Sequence, residues 1–282
     1  MVQKCLRFKK LPVTFVTQLA RECWTKALPL APPHIRKQIA NRLSRGELDR
    51  QLERGYLSLV SEQFDIRYPA GLPKEEAGRL AEYLENEYGK FAQELNANPG
   101  RVTVVIYEKS SFERITGGHE ETLGLYDGRI RIGMREIGSA YEPVILSHEL
   151  AHAFLQHAFS ASLPVWIQEG YAQSKEPDHN LTQGEEEVDR KLQTGEEWIP
   201  LKWLDRKFLQ PGNLEDVTRA YRQSRLVVKH LLKIRAKERS FAKFLEGLTQ
   251  GKELKAAFQT AYPGISWNSI ENGSFKRNES PE

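Results

Sequence analysis

The chain has 282 residues, 39% of them hydrophobic and 28% charged, with a formal net charge of +3. That length suits one large domain or two small ones with a real core, and the composition excludes collagen-like or wholly disordered chains. The lysines and arginines are dispersed, which excludes a phosphate-backbone binder, and no apolar run approaches the roughly 20 residues of a membrane helix. No nucleic-acid partner and no integral membrane segment are therefore expected.

The start, "MVQKCLRFKKLPVTFVTQLA", has a basic head and a mildly apolar stretch. Pro12, Thr14, Thr17 and Gln18 interrupt it and no small-residue cleavage site follows, so it makes a poor secretory signal. It reads as a flexible or amphipathic lead, with a cytoplasmic location expected and export the alternative. Cys5 and Cys23 both fall in this region and form no disulfide framework. A proline-rich joint at 27–37 leads into a charged helical segment running to about Ser61, with Ile35, Ile39, Leu43, Leu48 and Leu52 as its apolar positions.

"FDIRYPAG" (64–71) alternates Phe64, Ile66 and Tyr68 with period two and reads as a strand ending in a turn. Residues 73–95 form an amphipathic helix, with Pro73 in the first turn and Leu80, Leu84, Tyr88, Phe91 and Leu95 on one stripe. "RVTVVIYEKS" (101–110) is a strand whose β-branched core implies burial on both faces. "SSFERITG" fits a short helix ended by glycine. "LGLYDGRIRIGM" (123–134) reads as a hairpin turning at Asp127-Gly128, with Arg129, Arg131 and Arg135 on alternate positions. From Tyr141 the periods are helical, over 142–158, "LPVWIQEGYAQS", a charged loop or helix at 182–195, then 220–237, 240–251 and 254–264.

The expected class is α+β. An N-terminal extension, 1–57, is partly helical. A main domain, 58–268, has an α/β half (58–140) and a helical half (141–268) with a cleft between them. The tail 269–282 is polar and expected to be disordered.

The chemistry concentrates in "SHELAHAF" (147–154). Residues four apart on a helix lie about 40° from each other around the axis, so His148 and His152 can aim at one point. Two imidazoles and one further ligand suit a catalytic zinc. Glu149, one residue on, can reach the water that such a metal would activate, which is where a general base belongs. Leu146, Leu150, Ala153 and Phe154 make the helix apolar, where unpaired histidines would be costly. The candidate third ligand is Glu169, 17 residues after His152, set among Trp166, Ile167, Tyr171 and Ala172 in a poor place for an unpartnered charge. The plain alternatives are a pair of satisfied core histidines and a solvated glutamate. His34, His119, His157 and His179 have no companion pattern, although His119 in "TGGHEE" could border the cleft.

H-E-x-x-H followed by the glutamate of "PxWxxEGxA" resembles the gluzincin metallopeptidases, more narrowly the bacterial peptidase MA-like proteins. "FDIRYP", "RVTVVIYEKSSFERITG", "GLYDGRIRIGM" and "AYRQSRLVVKHLL" look like successive blocks of that family, over roughly 60–265. The resemblance implies a zincin-like fold, one zinc on His148, His152 and Glu169, and Glu149 as base. It also implies a peptide or protein substrate pairing with an edge strand above the active helix, for which 129–134 is the candidate.

An oxyanion-stabilising group is expected downstream: Tyr221, 52 residues after Glu169, with His230 as competitor. Some gluzincins carry an acid four residues past the third ligand that orients a histidine. Gln173 stands there, leaving that role open. The leading function is a zinc metallopeptidase; the alternatives are a non-catalytic zinc-stabilised binding or scaffold module, and a peptidase whose cleft residues 1–57 cover.

Overall fold

The computed structural model describes residues 25–26, 28–30, 33–117, 123–159, 163–177, 183–210, 213–234 and 239–275. Cys5, Cys23, His119, His179 and the chain beyond Phe275 lie outside the described residues. By its contacts the chain divides into two units, Met1–Tyr56 and Leu57–Glu282. The first holds a 3-10 turn, Leu28–Leu30, and helix α1, Pro33–Leu52.

The helical segment expected to reach Ser61 stops at Leu52. Gly55 turns the chain at φ +81° and strand β1, Leu57–Val60, follows. Strand β2 is Phe64–Tyr68, β3 Val102–Tyr107, β4 Gly124–Tyr126 and β5 Ile130–Gly133. They make one open sheet in the order β1-β2-β3-β5-β4, with β2, β3 and β5 parallel and the two outer strands antiparallel to their neighbours. Every residue of β3 is buried, as its apolar run requires.

Strand 129–134, expected to be the substrate-pairing edge, is β5. It is bonded to β3 on one side and β4 on the other, so it has no free edge. The turn at Asp127-Gly128, with Gly128 at φ +101°, folds β4 outside it, and among the described residues β4 carries the free edge. Arg131, read as one of three alternating arginines, is buried against Asp127 and the Tyr107 hydroxyl.

Helix α2, Lys74–Leu95, buries its stripe of Leu80, Leu84, Tyr88, Phe91 and Leu95, with Pro73 at the cap position just before the helix. Helix α3, Lys109–Thr116, ends at Gly117 in the left-handed conformation. Tyr88 packs edge-on against Phe64 of the sheet and Phe154 of helix α4, Glu142–Phe159, tying sheet, α2 and α4 into one core.

The remaining helices are α5, Val165–Lys175, α6, Gln183–Thr194, α7, Leu201–Leu209, α8, Leu214–Lys233, α9, Ser240–Thr249, α10, Leu254–Ala261, and α11, Trp267–Glu271. Helix α8 begins six residues earlier than expected, because Asn213 caps it by accepting the Asp216 N–H at 2.8 Å. Helices α5 and α8 lie in close contact at Gly170, where a Cβ would fall 2.5 Å from the Ser224 carbonyl oxygen. The tail expected to be disordered from 269 is folded through Phe275. Ile270 is buried, and the Phe275 ring stacks on His230 with centroids 4.1 Å apart. The protein is thus mixed α+β, mostly helical, with a small five-stranded open sheet. Among the described residues no helix is long and apolar enough to cross a membrane.

Candidate metal centre

Helix α4 is apolar on most sides: Leu146, Leu150, Ala151, Ala153 and Phe154 are fully buried. The polar residues of its motif open into a cleft of about 680 Å³. The walls are Leu123 and β4 on one side, and Glu169, Glu176 and Tyr221 on the other.

The structure brings His148, His152 and Glu169 together. The two Nε2 atoms are 3.1 Å apart, and Glu169 Oε2 lies 3.6 Å from His148 Nε2 and 3.7 Å from His152 Nε2. Ligands 2.0–2.1 Å from a tetrahedral ion are about 3.3 Å from one another, so the three sides of this triangle bracket the required edge. Two neutral imidazoles and a carboxylate form a donor set that suits zinc and similar divalent ions. The residues present therefore fit a metal.

Three contacts position these side chains. Asp205 of α7 accepts the Trp166 N–H at 2.9 Å and so anchors the start of α5, the helix that carries Glu169. The Tyr83 hydroxyl meets Ser147 Oγ at 2.7 Å beside His148. Glu176 Oε1 lies 2.7 Å from His148 Nδ1, which turns the ring's Nε2 toward the other two donors.

Gln173, the position considered for that orienting role, does not perform it. Its Oε1 is buried and without a hydrogen-bond partner among the described residues. Sequence reasoning missed Glu176. It stands just past the end of α5 in extended backbone, so helical spacing from Glu169 does not single it out.

At His148, burial opposes the charged form, but the Glu169 and Glu176 carboxylates outweigh it and raise the pKa to about 10. Burial likewise opposes ionised Glu169, yet the two adjacent imidazoles hold its pKa at about 2.

Glu149 sits beside the triangle, 8% exposed, under β4. Gly124 makes room for it: a Cβ there would stand 3.1 Å from Glu149 Oε1 and 2.4 Å from Ile145 Cγ2. Burial raises the Glu149 pKa, and the neighbouring His148 and His152 pull it partly back. Tyr221 reaches the cleft wall from α8, its ring edge-on to Phe208 at 4.9 Å. Burial, then the charges of Glu169, Glu149 and Glu176, push its hydroxyl up to about 12. His230 is absent from the cleft lining and stacks on Phe275.

No protein-family model matches this sequence, and no curated protein matches it. Among solved structures it is similar to an M1 zinc metallopeptidase from Deinococcus radiodurans, at 17% identity and a TM-score of 0.38. That likeness covers 80% of this chain and 53% of the other, so the chain spans about half the length of that protein.

Proposed function

We propose that the chain is a zinc-dependent peptidase of the gluzincin type, with His148, His152 and Glu169 holding the ion and Glu149 as general base. The observation that carries this is the convergence of the three donor atoms, with a buried carboxylate beside them, in an open cleft. A divalent ion held there would polarise a substrate carbonyl and acidify a water molecule.

The chain's own residues supply the rest. Glu149 takes the proton of the attacking water and passes it to the leaving amine, and its burial raises its pKa above the ordinary carboxylate value. Tyr221 keeps its own proton and donates a hydrogen bond to the carbonyl oxygen as negative charge develops there. Extended peptide lies along the free edge of β4, Gly124–Tyr126, where main-chain hydrogen bonds give affinity with little sequence preference.

The test is metal content and peptide hydrolysis measured on the same preparations. Wild type is expected to carry about one zinc per chain, and His148→Ala to lose it. Glu149→Gln should keep the zinc and lose about 10²–10⁴-fold in hydrolysis of casein or a peptide library. Undiminished cleavage by Glu149→Gln removes it from the mechanism. Stoichiometric metal with no cleavage by wild type leaves a metal-stabilised binding module.

A further inference from the structure

Three of the six large hydrophobic side chains exposed among the described residues fall within twelve positions of one another. They are Trp203 at 52%, Leu209 at 71% and Leu214 at 74%. They lie along α7 and its corner with α8: Trp203 in the first turn of α7, Leu209 at its end and Leu214 at the start of α8, where Lys207 and Asp216 tie the two helices. At 100° per residue, Lys202, Arg206 and Leu209 share one line of α7, with Trp203 and Gln210 beside it. The opposite side holds the buried Leu201 and Leu204.

This outward face carries no acid. Asp205 points inward to the Trp166 N–H. Among the described residues neither Lys202 nor Arg206 is ion-paired: Arg206 donates to Gln210 Oε1 at 3.4 Å, and Lys202 Nζ lies 5.6 Å from the Trp203 ring centroid. The acids that open α8 are taken, Asp216 by Lys207 at 2.8 Å and Glu215 by Arg219 at 3.0 Å. The corner thus offers free positive charge next to protruding apolar groups.

We propose that it docks on an anionic lipid bilayer, with Trp203, Leu209 and Leu214 entering the interface and Lys202 and Arg206 against headgroup phosphates. Tryptophan favours that boundary because its ring is apolar and its N–H wet. The cations keep their heads at the phosphates while their stems lie along apolar surface. A protein partner fits less well. Three side chains cannot supply the roughly 800 Å² per partner of a stable interface, and anchors of that kind sit in packed pockets. Docking here matters to the cleft because the inner side of α7 holds elements that wall it: Phe208 contacts Tyr221 and Asp205 anchors α5. The cleft would then work within reach of a membrane surface. This inference goes beyond the peptidase reading and stands without it.

Co-sedimentation of the full chain with phosphatidylcholine vesicles, with and without phosphatidylglycerol, tests it. The protein should bind the mixed vesicles over the neutral ones and be released by salt. Lys202→Gln with Arg206→Gln should weaken binding by about fivefold for each cation removed. Trp203→Ser, Leu209→Ser and Leu214→Ser together should reduce it to background, with the melting temperature as the check on folding. Brominated lipid should quench wild-type tryptophan fluorescence more than that of Trp203→Phe. Equal binding to both vesicle types, variants that bind as wild type does, or quenching unchanged in Trp203→Phe would each overturn the proposal. Capture of an acidic protein without vesicle binding would overturn it as well.

Discussion

His148 and Glu176 are joined at 2.7 Å between imidazole Nδ1 and carboxylate Oε1, across the C-terminal end of α5. The same short helix therefore supplies a donor of the triangle from its middle, Glu169, and the group that aims another donor from the position just past its end. Outer contacts of this kind are worth about 10–100-fold in metal affinity. Glu176→Ala is expected to lose that much in competition with a chromophoric chelator. Glu176→Gln, which keeps an acceptor oxygen, should lose less. Unchanged affinity in Glu176→Ala would show that the ring is held by its packing alone.

Tyr221→Phe removes one hydroxyl from the cleft wall and leaves the ring against Phe208. A donor to a developing oxyanion is worth about 10²–10³ in kcat, so that loss is expected with metal content and KM nearly unchanged. With its pKa raised to about 12, the hydroxyl remains a donor across ordinary assay conditions. Wild type and variant should therefore share the same alkaline limb. A limb that moves in the variant would mean that Tyr221 itself titrates during turnover.

The metal-free protein should show a stability dome set by the cluster. The folded pKa of His148 is raised from 6.5 to about 10, so its contribution is complete below pH 6.5 and is lost as pH rises through 10. That of Glu169 is lowered from 4.5 to about 2, so its contribution is complete above pH 4.5 and is lost as pH falls through 2. Both are complete together only between pH 4.5 and 6.5. Thermal midpoints in chelator should peak in that window for wild type, and the peak should flatten in His148→Ala. A profile identical in both proteins would exclude the cluster as its source.

Gly170→Ala puts a Cβ 2.5 Å from a backbone oxygen of α8, which no side-chain rotation can relieve. Parting α5 from α8 is expected to cost about 1–3 kcal/mol. For a chain of this size that lowers Tm by about 2–4 °C per kcal/mol. Gly89→Ala, in α2 with open space around it, should instead stabilise by about 0.5–1 kcal/mol. Calorimetry of the two variants separates close packing from helix propensity; a neutral Gly170→Ala would mean that the helices slide apart freely.

Local, periodic features were legible in the sequence. The stripe of α2 follows from apolar spacing, the turn of the hairpin from Asp127-Gly128, and the shared aim of His148 and His152 from four residues of helical rise. Helix α7 left a readable trace that was passed over, since Leu201, Leu204 and Phe208 after Pro200 repeat at helical spacing. Tyr221 and His230, nine residues apart, lie on opposite faces of a helix by count alone, although the count does not say which face meets the cleft.

Tertiary structure decided what depends on distant partners. Nothing within 123–134 determines which arm of the hairpin is outermost: β5 became interior because β3, more than twenty residues earlier, took its other edge. Nothing in "EGYAQSKEP" selects Glu176 over Gln173, because the choice depends on where α5 ends relative to a ring on α4. Helical and strand periods are properties of a short stretch of backbone, so sequence alone sets them. Edges and side-chain partners arise only when separate stretches pack, and the sequence carries them only through the whole fold.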